Sequence, residues 1–141
     1  MNRNLFIGIL ITSALSLLIS VPSISAQTTL RAPVPFAFTV GKTDMPAGTY
    51  TIIPVSSSAI AIRDCNTGKG VLSLFRPEDA GSSDGFPKLV FRKYGNRYFL
   101  SQVSRGSANN VMQLPTSKLE KELQIANGGG VSEQKTVVAT R

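Results

Sequence analysis

One absence limits the chemistry open to this chain: it contains no histidine. That removes the usual general base of serine, cysteine and metal-assisted hydrolysis, and the commonest transition-metal ligand. Ordinary triads and zinc sites are excluded, and no cofactor motif is present. Asp64, Asn66 and Gly68 imitate the start of a calcium loop, but its sixth position is Lys69 instead of Gly and its twelfth is Phe75 instead of Glu. Gly68-Lys69-Gly70 has the outline of a phosphate loop, yet strand-like Val71 follows where a Ser or Thr and a helix are needed, so it reads as a turn.

Two clusters remain. Glu78, Asp79 and Asp84 sit among Gly and Ser between Pro77 and Pro87. Such carboxylates can bind a cation or share the acid and base work of glycosidic cleavage if the fold brings them together; otherwise they form a solvated loop. Arg92, Tyr94, Arg97 and Phe99 form the densest basic and aromatic group. Guanidinium and ring in cross-strand contact can grip a planar, anionic or sugar ligand, or single-stranded nucleic acid. Arginines also lie over rings on solvated sheets with no ligand at all. If this face points inward, Phe99 and Val90 join the core and the binding reading fails.

The element that presents these four residues is the clearest local instruction in the chain. Phe86–Val103 reads as a hairpin, with Gly95-Asn96 as a two-residue type II′ turn. Tyr94 then pairs with Arg97, Lys93 with Tyr98, Arg92 with Phe99, Phe91 with Leu100 and Val90 with Ser101. Leu89, Phe91 and Leu100 share an apolar face, and the Arg and aromatic group takes the other.

Around the hairpin, turn residues separate short β-like runs at the spacing of a sandwich or small barrel. Val34–Val40 alternates Val34, Phe36, Phe38 and Val40 on one face, with Pro35 on the other marking an edge. Thr49–Val55, Ala59–Arg63 and Val71–Arg76 complete about six antiparallel strands. Ser117 and Glu120 have the spacing of a capping box that opens a helix to about Ala126, with Leu119, Leu123 and Ala126 on one face. Residues 127–141, rich in Gly and polar side chains, are expected to be disordered. The fold class is all-β with one short C-terminal helix, as a single domain over residues 27–126.

Residues 1–26 read as a secretory signal peptide: Arg3, an apolar run Leu5–Val21, then Ser23-Ile24-Ser25 before a cut after Ser25 or Ala26. An uncleaved membrane anchor is the alternative reading. After cleavage the chain is not expected to be an integral membrane protein. The net charge is +7, and the leader carries only Arg3 of it, so the remainder stays basic. An exported basic chain suits an anionic envelope polymer or polysaccharide, while specific nucleic-acid recognition has no motif here. Cys65 is the only cysteine, so no intramolecular disulfide forms and packing must hold the fold. At the end of a strand-like run it reads as a small half-buried residue.

Taken together, Val34-Pro35-Phe36 with Phe38 and Val40, Pro46-Ala47-Gly48-Thr49-Tyr50, Lys88-Leu89-Val90-Phe91 with Tyr94-Gly95 and Arg97-Tyr98-Phe99-Leu100, and Leu114-Pro115 with Ser117 and Glu120 resemble a family of small uncharacterised exported bacterial proteins. The resemblance implies a compact β fold and export; it brings no activity, cofactor or site residue. The functional expectation is an exported, non-catalytic binding or structural module of the envelope or extracellular space, not an enzyme and without a metal. It contacts an anionic or sugar-containing partner through Arg92, Tyr94, Arg97 and Phe99. The alternative is a small carboxylate-dependent hydrolase using residues 78–84.

Overall fold

The computed structural model describes residues 29–79, 84–107, 111–129 and 133–140; the expected leader lies outside them. In chain order the elements are β1 (Leu30–Val34), β2 (Phe38–Val40), β3 (Thr43–Met45), β4 (Gly48–Ser56), β5 (Ala59–Asp64), β6 (Gly70–Leu74), β7 (Arg76–Glu78), β8 (Pro87–Tyr94), β9 (Arg97–Arg105), β10 (Val111–Gln113), α1 (Lys118–Ala126) and β11 (Glu133–Val138). The chain is therefore all-β with one short helix. β1-β4-β5-β6 form one antiparallel sheet, and β11-β8-β9-β10-β7 form a second, curled one. β2 joins the second sheet through a parallel contact with β9 and pairs with β3.

Among the described residues eleven strands replace the expected six: two expected strands change sheets midway, and β3, β10 and β11 are additional. The run Val34–Val40 leaves the first sheet at Pro35, which has no N–H to donate, and re-enters the second at Phe38. The run Val71–Arg76 breaks in the same way at Phe75, whose N–H still bonds Ser58 O at 2.9 Å before β7 turns into the other sheet. These crossings place the alternating apolar residues between two layers. Val34, Phe38, Val40, Tyr50, Ile52, Ile60, Ile62, Leu89, Phe91, Leu100 and Val103 make one core, with Phe36 and Phe75 packed against it.

The hairpin follows its expected register from Tyr94↔Arg97 to Phe91↔Leu100. Gly95 has φ 59° and no described non-glycine residue has positive φ, which matches the type II′ turn. The expected pair Val90↔Ser101 does not form. A bulge inserts Ser101, Val90 pairs with Gln102, and Ser101 Oγ donates to Val90 O at 2.9 Å.

The expectation that the tail beyond residue 126 is disordered is corrected over β11. Its residues Glu133–Val138 pair with Lys93–Lys88 of β8. Two further backbone bonds join Arg31 and Thr140, with N···O distances of 2.8 and 2.7 Å, and Ala139 is buried. The β domain thus extends to Thr140, and β11 links the edges of the two sheets. Polar composition misled here because four of its residues, Glu133 to Thr136, are exposed; the strand is held by backbone bonds, by Lys135 over the Phe36 ring, and by Val137 and the adjacent Ala139 against the core. Truncation after Gly130 is expected to lower unfolding free energy by at least about 3 kcal/mol, summing the lost burial and ladder bonds. Urea unfolding of the truncated and full chains checks this.

Candidate functional site

The hairpin face expected to bind is closed. Phe99 is 1% exposed, Tyr94 6% and Val90 7%, with the Tyr94 and Phe99 rings in edge contact at 5.9 Å. These residues are internal packing, and the stacking surface assigned to Arg92, Tyr94, Arg97 and Phe99 is withdrawn. Arg97 keeps partial exposure, lies over Phe99, and pairs with Asp44 at 2.9 Å.

α1 occupies one end of this face. Ser117 caps the helix, accepting from the Glu120 N–H at 3.1 Å as the capping box requires. Leu119 and Leu123 are half-buried as expected, while Ala126 is exposed; the helix residue buried most deeply is Glu120. Arg92 Nε lies 3.3 Å from Glu120 Oε1, an ion pair without hydrogen-bond alignment, and Arg92 Nη1 donates to Thr116 Oγ1 at 3.1 Å. Burial pushes the Glu120 carboxyl above the ordinary glutamate range, while Arg92, the Ser117 N–H and the Tyr94 hydroxyl pull it down less strongly. Arg92 therefore positions the segment Leu114–Glu120.

That segment forms one wall of a cleft of about 490 Å³ lined by Leu74, Phe75, Arg76, Gln113, Leu114, Pro115, Thr116 and Lys121. The other wall is the corner where β6 becomes β7. Leu114 N–H bonds Ser101 O at 2.8 Å, which ties the floor to β9. The lining offers an apolar base, an amide, a hydroxyl and two cations. Among the described residues neither Arg76 nor Lys121 makes an ion pair, in contrast to Lys88, Arg92, Lys93, Arg97 and Lys118. Sequence reading missed this site because Arg76 and Lys121 are 45 positions apart and meet only through the β6 to β7 corner.

A second hollow of about 590 Å³ is lined by Thr43, Asp44, Met45, Pro46, Asp64, Thr67, Lys69 and Gly70, but its two carboxylates are already committed. Asp44 serves Arg97 and accepts from Thr39 Oγ1 at 2.7 Å. Asp64 Oδ1 accepts from the Asn66 N–H at 2.8 Å, the chief cause holding its carboxyl below the usual range. The Asp64–Gly70 stretch is thus a turn closed by its own bonds.

Glu78, Asp79 and Asp84 of the acidic loop are all exposed. Asp84 pairs with Lys88 at 2.7 Å, which lowers its carboxyl, and Glu78 lies exposed on β7 opposite Val111. Residues 80–83 lie outside the described part, and no group of three or more metal-ligating side chains occurs among the described residues. Cys65 is exposed, with its Sγ 3.1 Å from Thr51 Oγ1. No described helix is long and apolar enough to cross a membrane.

No protein-family model matches the chain, and neither a curated protein nor a solved structure matches it. Function must come from geometry.

The helix anchor gives two expected outcomes. Arg92→Ala strands a buried carboxylate and costs about 3 kcal/mol near pH 7, and the cost shrinks on acidification as Glu120 takes a proton. Because folding raises the Glu120 carboxyl above its ordinary value, its contribution is most favourable at low pH and falls as pH rises through the folded value. Relative to Glu120→Gln, the wild-type chain should therefore gain stability as pH falls toward the ordinary glutamate value. Denaturant midpoints of both proteins across that range check the sign.

Proposed function

We propose that the chain is an exported, non-catalytic binding module that holds an anionic envelope or extracellular partner, of the kind a charged polysaccharide provides, in the cleft between the β6 to β7 corner and the segment Leu114–Lys121. The observation that carries this reading is the pair of uncompensated cations, Arg76 and Lys121, on a cleft with an apolar base. A carboxylate or sulfate group meets the cations while a sugar ring or short apolar stretch lies on Leu74, Phe75 and Pro115.

Export is supported by the apolar run Leu5–Val21 with its small-residue end, and by the resemblance to exported proteins. The basic balance supports an anionic partner. The cleft lining carries no carboxylate to act as an acid or base, which supports binding over hydrolysis.

Retention of the full chain on immobilised alginate, a polyuronate, tests the reading, with dextran as the neutral control. Binding is expected to weaken at least fivefold between 50 and 300 mM salt, since exposed charges are screened over about a Debye length. Arg76→Ala together with Lys121→Ala is expected to weaken it at least tenfold and leave the unfolding midpoint unchanged, as both side chains are exposed. Retention unaffected by the double substitution would overturn the cleft assignment.

A further inference from the structure

The outer face of the four-stranded sheet carries a pattern of which the cleft uses only Leu74. Antiparallel register places Ile53, Ala61 and Leu72 side by side across β4, β5 and β6, and puts Ala59 beside Leu74 in the next row. Leu72 is 64% and Leu74 65% exposed, and Val55, in the bulge at the end of β4, is 53% exposed. Large aliphatic side chains alternating outward on an edge strand are costly to leave in water. β6 is that edge strand; among the described residues no strand pairs with its far side.

The row adjoining the leucines is cationic. Arg31 on β1 and Arg63 on β5 flank Thr51 of β4, and both arginines are exposed. Strand geometry puts the two about 10 Å apart and the apolar row about 7 Å away along the strands. Neither arginine has an acidic partner among the described residues. The outward positions Arg31, Pro33, Thr49, Thr51, Ile53, Ala61, Arg63, Leu72 and Leu74 include no carboxylate.

We infer that this face docks on an anionic lipid bilayer, with Leu72, Leu74 and Val55 entering the headgroup boundary and Arg31 and Arg63 meeting lipid phosphates. Charge complementarity and the mixture of side chains select this occupant. A bilayer presents hydrocarbon directly beneath a layer of negative charge, which satisfies both rows at once. A soluble polyanion would engage the arginines and leave the leucines in water. A second copy would cover the leucines, but each chain carries a net charge of +7 and would bring arginine to arginine.

The single cysteine makes the face directly observable. Cys65 is exposed, its N–H bonds Thr49 O at 2.9 Å, and its sulfur lies beside Thr51 on the same side of the sheet. An environment-sensitive dye on Cys65 of the full chain therefore reports whether this face, and not another segment, reaches lipid. With vesicles of equal phosphatidylglycerol and phosphatidylcholine the emission is expected to shift to the blue; with phosphatidylcholine alone it should not. Leu72→Ser with Val55→Ser, which spares the cleft residue Leu74, and separately Arg31→Gln with Arg63→Gln, are each expected to weaken the response at least tenfold. Arg76→Ala with Lys121→Ala should leave it unchanged, so failure of the cleft reading and failure of this one are told apart. The proposal is overturned if the dye does not respond, if neutral vesicles give the same response, or if the paired substitutions leave it intact. It is equally overturned if the shift arises without vesicles as protein concentration rises, which would make the occupant a second copy.

Discussion

The structure depends on how Phe38 is held between the two sheets. Its ring meets Tyr50 of the first sheet edge-on at 5.0 Å and Phe91 of the second at 5.2 Å. Phe36, two residues earlier, contacts the same Phe91 at 5.1 Å and stacks on Tyr98 at 4.2 Å. With no disulfide to help, a segment of three residues between β1 and β2 must both cross between layers and fill the space between them. Aromatic residues suit this because each buries a large area and prefers the offset and edge-to-face contacts that such a crossing creates. Lys135 of β11, 4.8 Å over the Phe36 ring, covers the outer side of the cluster.

Much of this was legible in the sequence, and the parts that were not share a cause. Gly95-Asn96 and the alternating residues beside it specify the hairpin down to the pairing of Arg92 with Phe99, since turn chemistry and period-two patterning are local. Ser117 and Glu120 mark the start of α1 for the same reason. The crossings at Pro35 and Phe75 leave period two unbroken, because Val34, Phe36, Phe38 and Val40 in one run, and Val71 and Phe75 in the other, still meet one core after the change of sheet. β11 is the converse case, a strand whose pairing is supplied by backbone and whose exposed residues carry no pattern.

The choice of face on the hairpin could not be read locally either. Both faces carry aromatic residues, so hydrophobicity does not separate them; Phe91 packs against the Phe36 and Phe38 rings and Phe99 against Tyr94, and both are buried. The deciding partner is Glu120, whose buried carboxylate needs a cation and finds it in Arg92. A residue that looked like ligand-binding equipment is thereby tied to internal structure, while Arg76 and Lys121 on the cleft and Arg31 and Arg63 on the open sheet are among the described cations that make no ion pair. Mobile charge and structural charge are separated by what each faces, which is a property of the tertiary fold.

The backbone bonds between Arg31 and Thr140 join residues 109 positions apart. β1 borders β4 on one side and has only this contact on the other, while β8 waits for β11. During synthesis, residues 29–126 can collapse early, yet the sheets cannot be linked at this edge until Thr140 has emerged. Contacts of such separation slow the search for the native state. The edges of β1 and β8 thus stay open until residues 133–140 have joined them.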